Sequence, residues 1–312
     1  MTLQHLLVPT DFSASADAAL NHAVSLADRF NATLHLLHVV NDPGAGWYGL
    51  GDAEVQIDRL KEEAEAKAKN RLQGMAEEST AVEVRTAVAQ RLNLKVADAI
   101  QEYVAGHSID LVVMGTHGRQ GLGRLVLGSV ANRLIRRSGC PVMTVRKREA
   151  GPDEPSDVEY ENLLAPIDFS DHSRTALRLS KEVAARYGAT QHLLFVAEKR
   201  VVPTFSDTGI PGVGVVEMDP EIVANAETAL EELNESVGGP EVMSAYHVEK
   251  GDVDEDIINF TEANDVDLIV MATRGLTGID RFILGSNTER VVRVAPCPVL
   301  TVPPTLDEEE GG

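Results

Sequence analysis

The chain has 312 residues, 43% of them hydrophobic and 25% charged, which fits two globular domains whose cores need no disulfide or metal staples. It carries 28 Lys and Arg against 49 Asp and Glu, a formal net charge of −21, and this argues against nucleic-acid binding by phosphate neutralisation and against docking on anionic lipid. It has no 18-residue apolar run, and MTLQHLLVPTDF lacks a basic region and a cleavage site, so the expectation is a cytoplasmic chain without membrane insertion.

Residues 4–9 read as a short apolar strand. Over 13–30, Ala16, Ala19, Leu20, Ala23, Val24 and Ala27 fall at helical spacing, with Ser13 placed as the cap. Residues 33–40 read as a strand, 53–79 as a long charged helix, 82–88 as a strand and 94–107 as a helix. A buried strand, DLVVM at 110–114, runs into a glycine-rich loop, a helix over 129–138 and a last strand at 141–145. The order then recurs: strands at 162–167, 190–197, 241–248, 267–271 and 298–302, and helices at 170–187, 219–237, 252–264 and 286–295. Strands separated by helices on this rhythm predict a parallel sheet covered on both faces. The halves differ most at KRVVPTFSDTGIPGVGVV, read as a longer loop before a shorter helix.

The recurrence is a duplication. LLVPTDFS at 6–13 reappears as LLAPIDFS at 163–170, and the same offset of 157 aligns 109–145 with 266–302 at 18 identities in 37 positions. The expected organisation is a first domain over 1–148, a linker over 149–160, a second domain over 161–304 and an acidic tail over 305–312. The linker, with GPDEPS and the acidic residues after it, has no apolar period.

After the fourth strand comes G-x2-G-x9-G-S: Gly115, Gly118, Gly128 and Ser129. Glycine lets backbone approach an anion, successive N–H groups form an anion-binding concavity, and the next helix aims its positive end at the same place. Ser129 can cap that helix or offer a hydroxyl to a phosphate. On the motif alone, a phosphate site and a plain loop capping the sheet are both open. It is neither a P-loop nor a dinucleotide-binding fingerprint.

With LLVPTDFS, the Asp-Leu-Val-Val-Met-Gly strand, the glycine spacing and Cys-Pro-Val, each half resembles a universal stress protein domain, over 2–147 and 160–303. The resemblance implies two tandem flavodoxin-like or adenine nucleotide α-hydrolase-like α/β domains, each a five-stranded parallel sheet between helices. The intact motif resembles the ATP-binding branch. It implies ATP, AMP or ADP as ligand, with Mg accompanying the nucleotide. Carried over, the contacts are Pro9, Thr10 and Asp11 at the first strand, Val39 at the second, Met114 and Gly115 along the nucleotide, and Gly118, Gly128, Ser129 and Val130 around the phosphates. In the second half they are Pro166, Ile167, Asp168, Val196, Met271, Ala272, Gly275, Gly285, Ser286 and Asn287. Ala272 replaces the first glycine and Asn287 replaces Val130, so the two sites are expected to differ. Single-domain relatives pair through the last strand, which implies an intramolecular pseudo-dimer here, with a homodimer possible and any protein partner unknown.

Other polar residues have plainer readings. Asp11 and Asp168 fit both ligand contact and an Asx turn capping the next helix. His117 reads as a solvated loop residue, Arg124 and Arg281 as triphosphate or surface ion-pair residues, and His35 and His192 as packing residues. Cys140 and Cys297 read as buried structural thiols. No catalytic constellation is present, which points to a regulator with at most slow ATP hydrolysis. The rivals are a protein-binding module without nucleotide and an ATP pyrophosphatase-type enzyme, whose glycine-rich first loop is missing from PTDFSAS.

The charge is unevenly divided. Up to residue 150 there are 17 basic and 17 acidic residues, so the whole excess lies in the second half. That distribution fits a division of labour between the halves better than a uniformly salt-adapted surface.

Overall fold

The computed structural model describes residues 3–41, 53–91, 95–116, 127–146, 158–198, 200–205, 211–216, 220–274 and 284–304. The chain forms two compact units, Met1–Glu159 and Tyr160–Gly312. The first contains β1 (His5–Pro9), α1 (Ala14–Phe30), β2 (Thr33–Asn41), α2 (Ala53–Glu78), β3 (Val84–Arg91), α3 (Val96–Gly106), β4 (Leu111–Gly115), α4 (Ser129–Arg137) and β5 (Val142–Val145). Its strands pair in parallel in the order β3-β2-β1-β4-β5. The order in which strands are added across the sheet therefore reverses between β1 and β4, and that switch point places the ligand crevice of an open α/β sheet at the carboxyl ends of those strands.

Helix placement follows from connection handedness. Right-handed crossovers put α1 and α2 on one face and α3 and α4 on the other. In agreement, α1 packs on β4 and β1, α2 on β3 and β2, and α3 on α4. The core is made by side chains the strands alternate into these layers, such as Leu6, Leu34, Leu36, Val112 and Met143, all fully buried.

The second unit repeats the plan with β6 (Asn162–Pro166), α5 (Asp171–Tyr187), β7 (Thr190–Glu198), α6 (Pro220–Ser236), β10 (Ser244–Gly251), α7 (Val253–Ala263), β11 (Leu268–Ala272), α8 (Ser286–Val294) and β12 (Val299–Val302). Its order is β10-β7-β6-β11-β12, again parallel. Between β7 and α6 the expected loop is instead an antiparallel hairpin of β8 (Arg200–Phe205) and β9 (Pro211–Val216). The valine pairs Val201-Val202 and Val215-Val216 supply strand preference on both arms, which outweighs the turn signals of Pro203, Gly212 and Gly214. Strands β3 and β10 run about three residues past their expected ends, because their partners β2 and β7 set the register along their whole length. Most of the linker, all of the tail, and His117, Gly118, Arg124, Gly275 and Arg281 lie outside the described residues.

The duplication reaches into backbone conformation. Left-handed φ occurs at Phe12 and Phe169 (61° and 62°), at Ser108 and Asp265 (50° and 48°), and at Asn31 and Gly188 (52° and 67°). The last pair closes α1 and α5, using the two residue types that best tolerate the position.

Packing chemistry differs between the units. In β7, Gln191 is fully buried and neither its Oε1 nor its Nε2 has a partner among the described residues, whereas Leu34 holds the same place in β2. An unpaired buried amide costs about 1–3 kcal/mol. Gln191→Leu is therefore expected to stabilise the second unit by roughly that amount, seen as a higher urea midpoint at unchanged m-value. A lower midpoint would show that the amide is bonded through ordered water.

Candidate functional site

The carboxyl end of β1 turns sharply into α1. Asp11 Oδ1 accepts the Ser13 amide at 3.0 Å, Thr10 Oγ1 accepts the Phe12 amide at 2.9 Å, and Ser13 Oγ caps α1 by accepting from Ala16 N at 3.3 Å. In the second unit Asp168 Oδ1 accepts both the amide and the hydroxyl of Ser170, at 3.0 and 2.6 Å, and Ser170 caps α5. The Asx turn expected for both aspartates is formed, with serine as the capping residue. Phe12 and Phe169 hold an unfavourable left-handed φ inside this turn; such conformations persist where surroundings enforce them and cluster at functional sites.

Phe12 is held from both sides. Its ring lies 4.5 Å from the His38 ring and 4.1 Å beneath the Arg71 guanidinium of α2, and His38 Nδ1 donates to the Thr10 carbonyl at 2.7 Å. Phe169 packs on Phe195 with centroids 5.1 Å apart. The sequence signals these aromatic props only through the Phe that follows Asp in both copies of the motif.

At the neighbouring strand end, Thr116 N bonds Val145 O and Gly128 N bonds Thr116 O at 2.8 Å; Thr273 and Gly285 repeat this at 3.0 Å. The residues that open and close the glycine-rich segment are thus pinned together beside β4 and β11. Pro9, Thr10, Asp11, Met114 and Gly115 lie at the paired ends of β1 and β4, and Val39 lies near the end of β2. Pro166, Ile167, Asp168, Met271, Ala272 and Val196 hold the equivalent places in the second unit. The cap of α4 is Gly128, so Ser129 is the first helical residue rather than the cap; α8 likewise starts at Ser286 after Gly285. Neither cap makes a side-chain bond to the first-turn amides, which leaves their donors and the helix dipole directed outward. Ser129 and Ser286 are exposed, and Val130 and Asn287 half-buried, around these ends.

The glycines divide into two kinds. A Cβ on Gly115 would lie 2.7 Å from the Ser15 carbonyl oxygen, so this glycine lets α1 sit against β4. Ala272 is accommodated at the same place, 7% exposed, with His172 where the first unit has Ser15. The methyl is thus absorbed in packing against the helix. Among the described residues a Cβ on Gly285 would meet nothing closer than 3.5 Å, and its φ of −56° suits any residue, so no described contact requires glycine there.

His35 is 2% exposed and bonds Tyr103 Oη at 3.0 Å and His5 Nδ1 at 3.3 Å. His192 bonds His247 at 3.1 Å and Asn162 at 3.4 Å. Both lie in strand interiors, as packing residues should. Cys140 is buried, which pushes its thiol up to about 11, whereas Cys297 is only partly buried, against expectation. No group of three or more His, Cys, Asp or Glu suited to a metal ion occurs among the described residues, and no described helix is long and apolar enough to cross a membrane.

The fold and strand-end site define a duplicated, doubly wound α/β protein. The universal stress protein family model matches residues 2–146 and 159–303, so the chain belongs to the universal stress protein family. A universal stress protein of Mycolicibacterium smegmatis is 28% identical over 309 residues, covering 96% of this chain and 97% of the relative. One from Methanocaldococcus jannaschii is 36% identical over 143 residues, 46% of this chain and 81% of its own length. The crystal structure of a universal stress protein from Archaeoglobus fulgidus superposes with a TM-score of 0.69 at 21% identity, covering 97% of this chain and 99% of that one, and bears on fold alone.

Proposed function

We propose that the protein is an adenine-nucleotide-binding stress-response regulator with a site at the β1–β4 end of the first unit and another at the β6–β11 end of the second. Gly285 carries this reading: a residue without a side chain stands before a helix N-terminus although no contact among the described residues requires it. Close approach of a phosphate to the backbone supplies the reason. Asp11 and Asp168, set by their turns, face the adenosine end; Gly128, Ser129, Gly285 and Ser286 take the phosphates; and Mg arrives with ATP, held mainly by the phosphates. Bound nucleotide acts as an ordering ligand. With no positioned base among the described site residues, hydrolysis is slow at most.

The test separates binding from folding. In the full chain, Gly285→Ala is expected to leave the unfolding midpoint nearly unchanged and to weaken Mg-ATP binding by about tenfold or more at the second site, since a methyl displaces the phosphate by over an ångström. Gly115→Ala is expected to lower stability by about 1–3 kcal/mol through overpacking. Absence of any thermal shift or calorimetric binding with Mg-ATP in the unmodified protein would overturn the proposal. It would favour the second reading, a protein-binding module acting through the acidic second half, where the entire charge excess lies.

A further inference from the structure

The strand-end site of the first unit has a cation beside it that the second unit lacks at the equivalent place. Gly115 of β4 pairs with Val145 of β5, the Thr116 amide donates to Val145 O at 3.0 Å, and the Gly128 amide donates to Thr116 O at 2.8 Å. This run of bonds sets Arg146, the residue after Val145, one step beyond the last ladder pair, beside Thr116 and next to the start of α4. A Cβ on Gly115 would point at Ser15 of α1, so Gly115 and its partner Val145 face α1. Side chains alternate along a strand, so Thr116 and Arg146 face the other side, that of α4.

Arg146 is half-buried there, and its Nε is shielded from solvent with no hydrogen-bond partner among the described residues. It makes no ion pair among those residues either. Burial pulls its guanidinium below the ordinary range. A cation withdrawn from water without a counter-charge works against the fold. In the second unit the same bonds recur, Thr273 N on Val302 O and Gly285 N on Thr273 O, both at 3.0 Å, but the residue after Val302 is Pro303. Proline brings neither charge nor backbone donor. The strand-end geometry therefore forms without arginine, and an anionic ligand supplies the reason for Arg146.

We propose that Arg146 anchors the phosphate chain of the ligand held at the first site, and that the second site, with Pro303, binds without this anchor. The identity of the ligand rests on the nucleotide reading; the affinity of Arg146 for a phosphate chain does not. A guanidinium offers a planar fork of donors that matches phosphate oxygens, and the bonds it makes to them are charge-assisted. Phosphate in turn supplies the counter-charge that the half-buried cation lacks.

Calorimetric titration of the full chain with ATP and with inorganic pyrophosphate tests this, in the parent, Arg146→Gln and Arg146→Lys. Arg146→Gln is expected to weaken both ligands at one site by about tenfold or more, and to leave the urea midpoint equal to or above the parent's. Arg146→Lys, which keeps the charge and loses the fork, is expected to recover part of that loss. Pro303→Arg, which copies the first unit into the second, is expected to tighten ATP at the other site. ATP binding unchanged in Arg146→Gln overturns the proposal while leaving the nucleotide reading intact. A binding loss that comes with a lowered midpoint and that lysine does not relieve also overturns it, since that marks a structural role. Should ATP bind nowhere in the parent, the nucleotide reading fails and pyrophosphate decides. Pyrophosphate binding weakened in Arg146→Gln upholds the phosphate anchor; unchanged binding, or none in the parent, overturns it.

Discussion

Acidification from about pH 6.5 to pH 4 is expected to destabilise the first unit by roughly 2–4 kcal/mol, before ordinary carboxylates contribute much. His22 and His35 are both lowered to about 4. Burial is the cause for His22; for His35 burial comes first, then the nearby charges of His5, Arg85 and His107. In the unfolded chain these imidazoles take up protons near pH 6.5. The folded unit holds them neutral until about pH 4, so the unfolded state binds more protons across this window and stability falls as pH drops through it. Above the window the penalty vanishes. Calorimetric unfolding at stepped pH measures the slope. His22→Leu, which installs the residue the second unit has as Leu179, is expected to flatten it. A slope unchanged in that variant would remove His22 from the account.

The second large effect concerns an aspartate pair whose role only the structure reveals. The Asp110 carboxylate accepts the amides of Gln4 and His5 at 2.8 and 2.9 Å, and its own amide donates to His5 O at 2.9 Å. Asp267 does the same for Glu161 and Asn162, with its amide on Asn162 O. Each aspartate thus ties the start of one central strand to the start of its neighbour, where ladder pairing is thin: only two residue pairs join β1 to β4. Two charge-assisted bonds to backbone donors, one of them partly buried, put the cost of Asp110→Ala at about 2–4 kcal/mol. Asp267→Ala is expected to cost the second unit as much, and Asp110→Asn, which keeps an oxygen acceptor without the charge, roughly half. Denaturant unfolding monitored by circular dichroism reads the loss. An alanine variant within about 0.5 kcal/mol of the parent would mean that water replaces the carboxylate.

Much of the site was legible because its signals are local. Asp-Phe-Ser encodes an Asx turn and a serine cap within a few residues, and both copies form it. Helices with a single apolar face, such as α1, were found to within a residue or two from their spacing. The hairpin at 200–216 was missed because glycine and proline sit inside its arms, and only the pairing of one arm with the other satisfies their backbone groups.

The duplication, the alternation of strands and helices, the serine caps of α1 and α5 and the identity of the loop glycines can all be read from the chain alone. All of these are written in residues near one another or in an exact offset. Which glycine serves packing and which stands open emerges only in the folded chain, because that depends on Ser15 of α1 lying against Gly115 of β4. Folding also set the long-range ion pairs, since Arg290 finds Asp254 and Arg133 finds Asp98 some 35 residues away along the chain. Contacts at such separation leave no periodic trace in the sequence.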